Sequence, residues 1–311
     1  MKLVFLDRKS IGMDIDLSKF ETFGEVVNYD FTYPDEVKER VKDADILVVN
    51  KTLINEDTIG EAKNLKLVCV TATGTNNLDK EYLDKRKIEW RNVAGYSTES
   101  VAQHTFSLLF YLYEHLPYYD RYVSQKGYME DKLFTHFERN FHQISGKTWG
   151  IIGLGAIGKR LADLANAFGC KVQYYSTSGR NHNSEYEEVS FEQLLSTSDI
   201  VSIHAPLDEN TEGLMNKDAF SKMKEDAILI NVGRGPIVVE EDLVWAIQNN
   251  KIAGAGLDVL SVEPMSKDCP YKELLDDERV FITPHIAWAS VEARTNLMDI
   301  IYTQIEEFLN S

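Results

Sequence analysis

Short apolar runs alternate along the chain with longer segments in which apolar residues return every three or four positions. Leu3–Leu6, Ile46–Val49 and Leu67–Thr71 read as strands covered on both faces, because a strand with one wet face would alternate instead. Val26–Tyr29 is a fourth and less apolar run, and the polar stretches Pro34–Val41 and Asn55–Ala62 between the runs read as helices. Ser97 and Thr98 then offer N-caps to a helix on which Val101, Thr105, Leu108, Leu109 and Leu112 recur at helical spacing up to Pro117. The stretch from Tyr118 to Gln143 is aromatic and charged without a clear period, and reads as a helix with loops. From Lys147 the rhythm sharpens, predicting strands at Thr148–Ile152, Lys171–Tyr175, Ile200–Ile203, Ile228–Asn231, Gly254–Val259 and Val280–Ile282 with helical patterns between most of them. Such alternation predicts an α/β protein with parallel sheets, and the second rhythm is long enough for a full doubly wound sheet.

Length and charge narrow the field. At roughly 100–200 residues per domain, 311 residues suggest two domains. Acidic residues outnumber basic ones by 50 to 33, for a net charge of −17, and such a surface repels phosphate backbones and anionic lipid. Nucleic acid and membrane are therefore not expected partners. The densest apolar stretch, Phe106–Tyr113, falls far short of the ~20 residues a bilayer requires. Asp7 interrupts the first apolar run too early for a secretory signal. Cys69, Cys170 and Cys269 lie too far apart for a metal or redox motif, so no metal is expected and a cytoplasmic, reducing setting is. Cys69 and Cys170 read as small core residues.

The strongest local signal follows the strand at Thr148–Ile152. Gly153, Gly155 and Gly158 form G-x-G-x-x-G, with Ala156 and Ile157 opening the helix. The first glycine permits a tight turn, the second lets backbone approach a pyrophosphate, and the third lets helix and strand pack closely. The free N–H groups of the helix end complete an anion site. An NAD site usually carries an acid about 20 residues on, bonding the ribose hydroxyls. Here Ser176 stands in that place, followed by Thr177, Ser178, Gly179 and Arg180. Hydroxyls and a guanidinium suit a 2′-phosphate, whereas a solvated loop would leave Arg180 touching nothing. NAD and NADP both stay open, with a slight lean to NADP.

Three later segments place polar groups just after strands, where open α/β sheets build their sites. Arg234 lies in a glycine-flanked turn, and its planar fork suits a carboxylate. Asp258 and Glu263 follow the Gly254 strand, and His285 follows Pro284 after the last one. A histidine oriented by a carboxylate is the natural acid–base group near neutral pH. His104, within the helix after Ser97, reads as a packing residue.

These three segments, together with Gly153–Gly158, resemble the D-isomer-specific 2-hydroxyacid dehydrogenases. The Arg–Glu–His order, at intervals of 29 and 22 residues, is more specific than the glycine motif. The segment Leu67–Asp79 is similar to that family's substrate-carboxylate loop. Tyr96–Phe106 and Thr283–Ser290 most resemble the glycerate dehydrogenase, or hydroxypyruvate reductase, branch.

The resemblance implies two doubly wound domains, a Rossmann cofactor domain over 99–289 and a smaller flavodoxin-like substrate domain over 1–98 and 290–311, with the cleft between them. It implies that Arg234 holds the carboxylate of a small 2-keto or 2-hydroxy acid and polarises the keto oxygen, that His285 protonates that oxygen, and that Glu263 orients and charges His285. It implies substrate contacts from Thr73 and Gly74, with Asp258 and His285 on the nicotinamide side of the cofactor. His204, Ala205, Pro206, Thr211, Val232 and Gly233 fall at cofactor-lining positions. It further implies a homodimer through the apolar region 101–116. Hydroxypyruvate, with glyoxylate, is the expected substrate. A dinucleotide-sensing corepressor of the same fold is the rival from another class, and a formate- or phosphite-oxidising relative is a third possibility that the segment around Trp288 argues against.

Overall fold

The computed structural model describes residues 1–180 and 182–311 and divides the chain into two units, Met1–Ser97 with Trp288–Ser311, and Thr98–Ala287. In the first, β1 (Lys2–Phe5), β2 (Glu25–Asn28), β3 (Ile46–Val49), β4 (Leu67–Val70) and β5 (Glu89–Arg91) form a parallel sheet in the order β2-β1-β3-β4-β5, the flavodoxin-like order. Both faces are covered, which explains the continuous apolar runs. Val4 and Leu6 pack to one side with Val37, Val41 and Leu83, while Leu3 and Phe5 pack to the other with Leu297, Ile301 and Ile305. Those last residues line one stripe of the helix Val291–Asn310, whose N-terminus Ser290 caps through the amide of Ala293.

The second unit holds β6 (Thr148–Ile152), β7 (Lys171–Tyr175), β8 (Glu187–Glu188), β9 (Ile200–Ile203), β10 (Ile228–Asn231), β11 (Gly254–Leu257) and β12 (Val280–Ile282). All are parallel, in the order β12-β11-β10-β9-β6-β7-β8. From β6 the chain winds outward through β7 and β8, then crosses back to β9 and winds the other way. The neighbouring ends of β6 and β9 are thus the topological switch point where such sheets bind ligands.

Several boundaries differ from the pattern reading. β5 and β8 were not foreseen, since both are short, polar and at sheet edges. β4 stops at Val70 and β11 at Leu257, one and two residues early. The helix expected to reach Pro117 ends at Tyr113, and His115 takes a left-handed φ of 52°. Pro117 instead lies in the first turn of a new helix, Leu116–Ser124, where its missing N–H costs no hydrogen bond. The apolar face of the helix Thr98–Tyr113 is also spent within its own unit. Phe106 packs on Trp149, and a Cβ on Gly256 would come within 3.0 Å of Leu108 and 3.5 Å of Leu112. The free apolar side chains lie beyond it, with Met129, Leu133, Phe134, Phe137 and Phe141 exposed.

Candidate active site

The three glycines after β6 each meet a distinct demand. Gly153 has φ +90°, and a Cβ there would lie 2.8 Å from the Ala205 backbone, so only glycine fits. A Cβ on Gly158 would come 2.2 Å from the Gly153 carbonyl, which is the close helix–strand approach expected of the third glycine. Gly155 caps the helix Ala156–Ala167, and a Cβ there would meet nothing within 4 Å. Open space therefore lies over a twelve-residue helix N-terminus, flanked by exposed Ala156 and half-buried Ile157.

The ends of β7, β9 and β10 gather around this turn. The Gly153 amide donates to the Tyr175 carbonyl at 3.0 Å, and the His204 amide donates to Ile152 at 2.8 Å. A Cβ on Gly233 would meet the carbonyls of Ala205 and Ile203 at 3.2 and 3.3 Å. Ala205 and Val232 are buried there, and Pro206 is exposed. Ser176 follows β7 directly and is 8% exposed, and among the described residues its buried hydroxyl oxygen has no hydrogen-bond partner. Both ring nitrogens of His204 are likewise buried and unpartnered, and burial alone pushes its pKa down to about 3, leaving the ring neutral. Unpartnered buried polar atoms beside an open helix end fit a dinucleotide, whose ribose hydroxyls can supply hydrogen bonds. Thr177 is half-buried and Arg180 exposed.

Thr211 lies in the loop after β9. It is fully buried, donating to the Pro206 carbonyl at 2.7 Å and accepting from the Asp208 amide at 2.8 Å, so its hydroxyl knits the loop after β9. Asp258 is also occupied. Its carboxylate is 1% exposed and accepts from the Thr283 hydroxyl at 2.6 Å and the amides of Ile286 and Ala287 at 2.8 Å each. These bonds hold the loop that carries His285.

Arg234, Glu263 and His285 are brought to one side of the same unit. Asn231, at the end of β10, accepts from the Gly233 amide and donates to the Arg234 carbonyl, both at 3.0 Å, which fixes the turn. Arg234 Nη1 donates to the Gly233 carbonyl at 2.8 Å, and among the described residues the guanidinium has no carboxylate partner. A Cβ on Gly235 would lie 2.0 Å from the Leu260 carbonyl, so the Arg234 turn presses against the segment leading to Glu263. Glu263 accepts from the Leu260 amide through Oε1 at 3.1 Å and faces His285 Nδ1 through Oε2 at 2.7 Å. His285 itself has φ 55°, with its amide donating to the carbonyls of Asp258 and Thr283. Bound at Nδ1, the ring leaves Nε2 to exchange a proton, and an unpaired guanidinium stands ready for an anion. Asn231, Gly235 and Thr283 escaped the sequence reading, although a polar residue ending the otherwise apolar run of β10 was a signal for the first.

In the first unit, Thr73 is exposed on the loop after β4. Its hydroxyl donates to the Val93 carbonyl at 3.0 Å and its own carbonyl accepts from the Asn92 side chain at 2.6 Å, with half-buried Gly74 following.

Comparison with known proteins bears on this arrangement. Residues 106–287 match the family described as D-isomer specific 2-hydroxyacid dehydrogenase, NAD binding domain. A hydroxypyruvate reductase of Blautia hydrogenotrophica is 38% identical over 317 residues, covering 99% of this chain and 97% of that one. A glycerate dehydrogenase of Methylorubrum extorquens is 35% identical over 309 residues, covering 99% and 96%. Among solved structures, an acyclic imino acid reductase in complex with NADPH and D-Arg has a TM-score of 0.86 and 31% identity, covering 100% of this chain and 97% of that one.

Proposed function

The chain belongs to the D-isomer specific 2-hydroxyacid dehydrogenases, and from that premise we propose that it reduces hydroxypyruvate to D-glycerate, and glyoxylate to glycolate. The observation that carries this is the 2.7 Å contact of His285 Nδ1 with Glu263, on strand-end loops that also present Arg234, which has no carboxylate partner among the described residues. Glu263 holds the ring by Nδ1, so that Nε2 delivers a proton to the keto oxygen. Arg234 binds the substrate carboxylate through its planar fork and draws electron density from the neighbouring carbonyl. A bound reduced nicotinamide supplies the hydride that the keto carbon accepts. Neutral His204 adds no positive charge beside the cofactor.

Gly153, Gly155 and Gly158 would hold the pyrophosphate, and Ser176 would meet the adenosine ribose. With a hydroxyl where an acid is usual, nothing at that position repels a 2′-phosphate, and Thr177 and Arg180 are near in sequence to bind one. We therefore assign acceptance of NADPH at least comparable to that of NADH. Residues 99–289 act as the cofactor domain, and 1–98 with 290–311 as the substrate domain, where Thr73 and Gly74 are carried as substrate contacts by the likeness of their loop. The active form is a homodimer in the cytoplasm. Its contact face lies beyond the helix Thr98–Tyr113, where Met129 and Phe134 are 79% and 87% exposed.

A panel of 2-keto acids, run with NADH and NADPH side by side, tests the proposal. Coenzyme oxidation dependent on hydroxypyruvate supports it, and coenzyme binding without turnover of any 2-keto acid would favour the sensing alternative.

A further inference from the structure

We propose that Ser100 and His104, one turn apart on the helix Thr98–Tyr113, are positioning residues that clamp the loop Thr283–Ala287 and so hold His285 in place for proton transfer. Ser100 Oγ donates to the Ala287 carbonyl at 2.6 Å, at one end of the loop. His104 Nε2 lies 3.0 Å from Thr283 Oγ1, at the other. Residues four apart on a helix face the same way, so a single helical face grips both loop ends.

The polarity of the chain of bonds is fixed by Asp258. Its buried carboxylate can only accept, so the Thr283 hydroxyl spends its proton on Asp258 Oδ1 at 2.6 Å. The Thr283 oxygen then accepts from His104, which must carry its proton on Nε2. Burial lowers the pKa of His104 against the opposing pull of Asp258, in keeping with a neutral ring that donates. The same carboxylate receives the amides of Ile286 and Ala287, immediately after His285. The loop between the two grips carries a non-glycine residue, His285, at φ 55°, a conformation that persists where surrounding bonds over-determine it.

Packing of the helix does not depend on this clamp. Val101, Thr105, Leu108 and Leu112 are buried on it, and the Thr105 hydroxyl bonds within the helix, to the Val101 carbonyl. Removing the His104 bond should therefore leave the helix seated and loosen only the loop. The placement of an acid matters steeply, since small displacements of a catalytic group carry large rate penalties.

The proposal rests on His285 being the proton donor, and the experiment separates the two. Steady-state reduction of hydroxypyruvate, coenzyme affinity by fluorescence and thermal midpoints are measured for the parent, His285→Ala, His104→Ala, His104→Gln, Thr283→Val and the double variant His104→Ala/Thr283→Val. His104→Ala is expected to lower kcat about tenfold, with KM and coenzyme affinity within about twofold of the parent. His104→Gln, whose amide nitrogen sits near the place of Nε2, should recover most of that loss. Thr283→Val should reproduce the loss, and the double variant should fall no further than Thr283→Val alone. A kcat for His104→Ala equal to the parent's, strictly additive losses, or a loss that follows the thermal midpoint and is not recovered by His104→Gln would each overturn the clamp. Should His285→Ala keep parental kcat, the functional reading itself fails and the clamp with it.

Discussion

Oε2 of Glu263 lies 2.7 Å from Nδ1 of His285, while Oε1 of the same carboxylate receives the amide of Leu260. The carboxylate is thus aimed by its own loop before it meets the ring. A histidine held at one nitrogen has a fixed orientation and presents the other nitrogen as proton donor to a keto oxygen.

Replacing His285 by Ala should lower turnover by roughly 10²–10⁴, with coenzyme affinity retained. Glu263→Gln should cost less, because the donor remains. Without the carboxylate the ring loses the bond that fixes its orientation, so kcat should fall while coenzyme affinity is retained. Steady-state kinetics of both variants check this, and parental kinetics in both would remove the acid–base assignment.

Arg234→Ala should reduce kcat/KM for the keto acid by roughly 10- to 150-fold, the worth of a charge-assisted hydrogen bond of about 1.5–3 kcal/mol. Arg234→Lys should recover little, since a single ammonium cannot reproduce the two-pronged contact. Equal kcat/KM for the Lys variant and the parent would show that Arg234 acts as a point charge only.

The coenzyme preference should respond to Ser176 and Arg180 in opposite senses. Ser176→Asp restores an acceptor for the ribose and a charge that repels a 2′-phosphate, moving the NADPH/NADH ratio of kcat/KM toward NADH. Because Ser176 is buried, Arg180→Ala serves as the exposed companion variant, and it should lower the rate with NADPH selectively. A parent that strongly prefers NADH, with a ratio unmoved by either change, would mean that Arg180 stays in solvent.

Stability below neutral pH should carry the mark of His204. Burial holds its folded pKa at about 3 against an ordinary value of 6.5. The unfolded chain therefore binds a proton that the folded one refuses, and the stability contribution present above 6.5 is lost as pH falls toward 3. Between pH 7 and pH 5, the cofactor-free parent should lose about 2 kcal/mol more than His204→Leu. Urea denaturation at the two pH values measures the difference, and equal losses would show that the ring is protonated in the folded protein.

How much of this was legible beforehand depended on whether local chemistry or tertiary contact decides each feature. Runs such as Ile228–Asn231 announced buried parallel strands, and Gly153, Gly155 and Gly158 announced their turn, because backbone geometry there admits little else. Arg234, Glu263 and His285 stood out together by following strands in a domain with the glycine fingerprint, and the family likeness then implied the role of each. The edge strands Glu89–Arg91 and Glu187–Glu188 left no trace, being short and polar. Nor did the break at His115, since Pro117 terminates one helix pattern as readily as it opens another. The inward turn of Asp258 and the loop-knitting of Thr211 depend on partners far along the chain or on loop closure, which no pattern of residue types reveals. His104, read as packing, makes its bond with a residue 179 positions away.

The most direct test is the configuration of the product. Hydroxypyruvate is reduced with excess NADH and, separately, NADPH, and the glycerate formed is resolved on a chiral column, with His285→Ala as the control. The account predicts D-glycerate from the parent, formed far more slowly by the variant. L-glycerate, or no glycerate with either coenzyme, would contradict it.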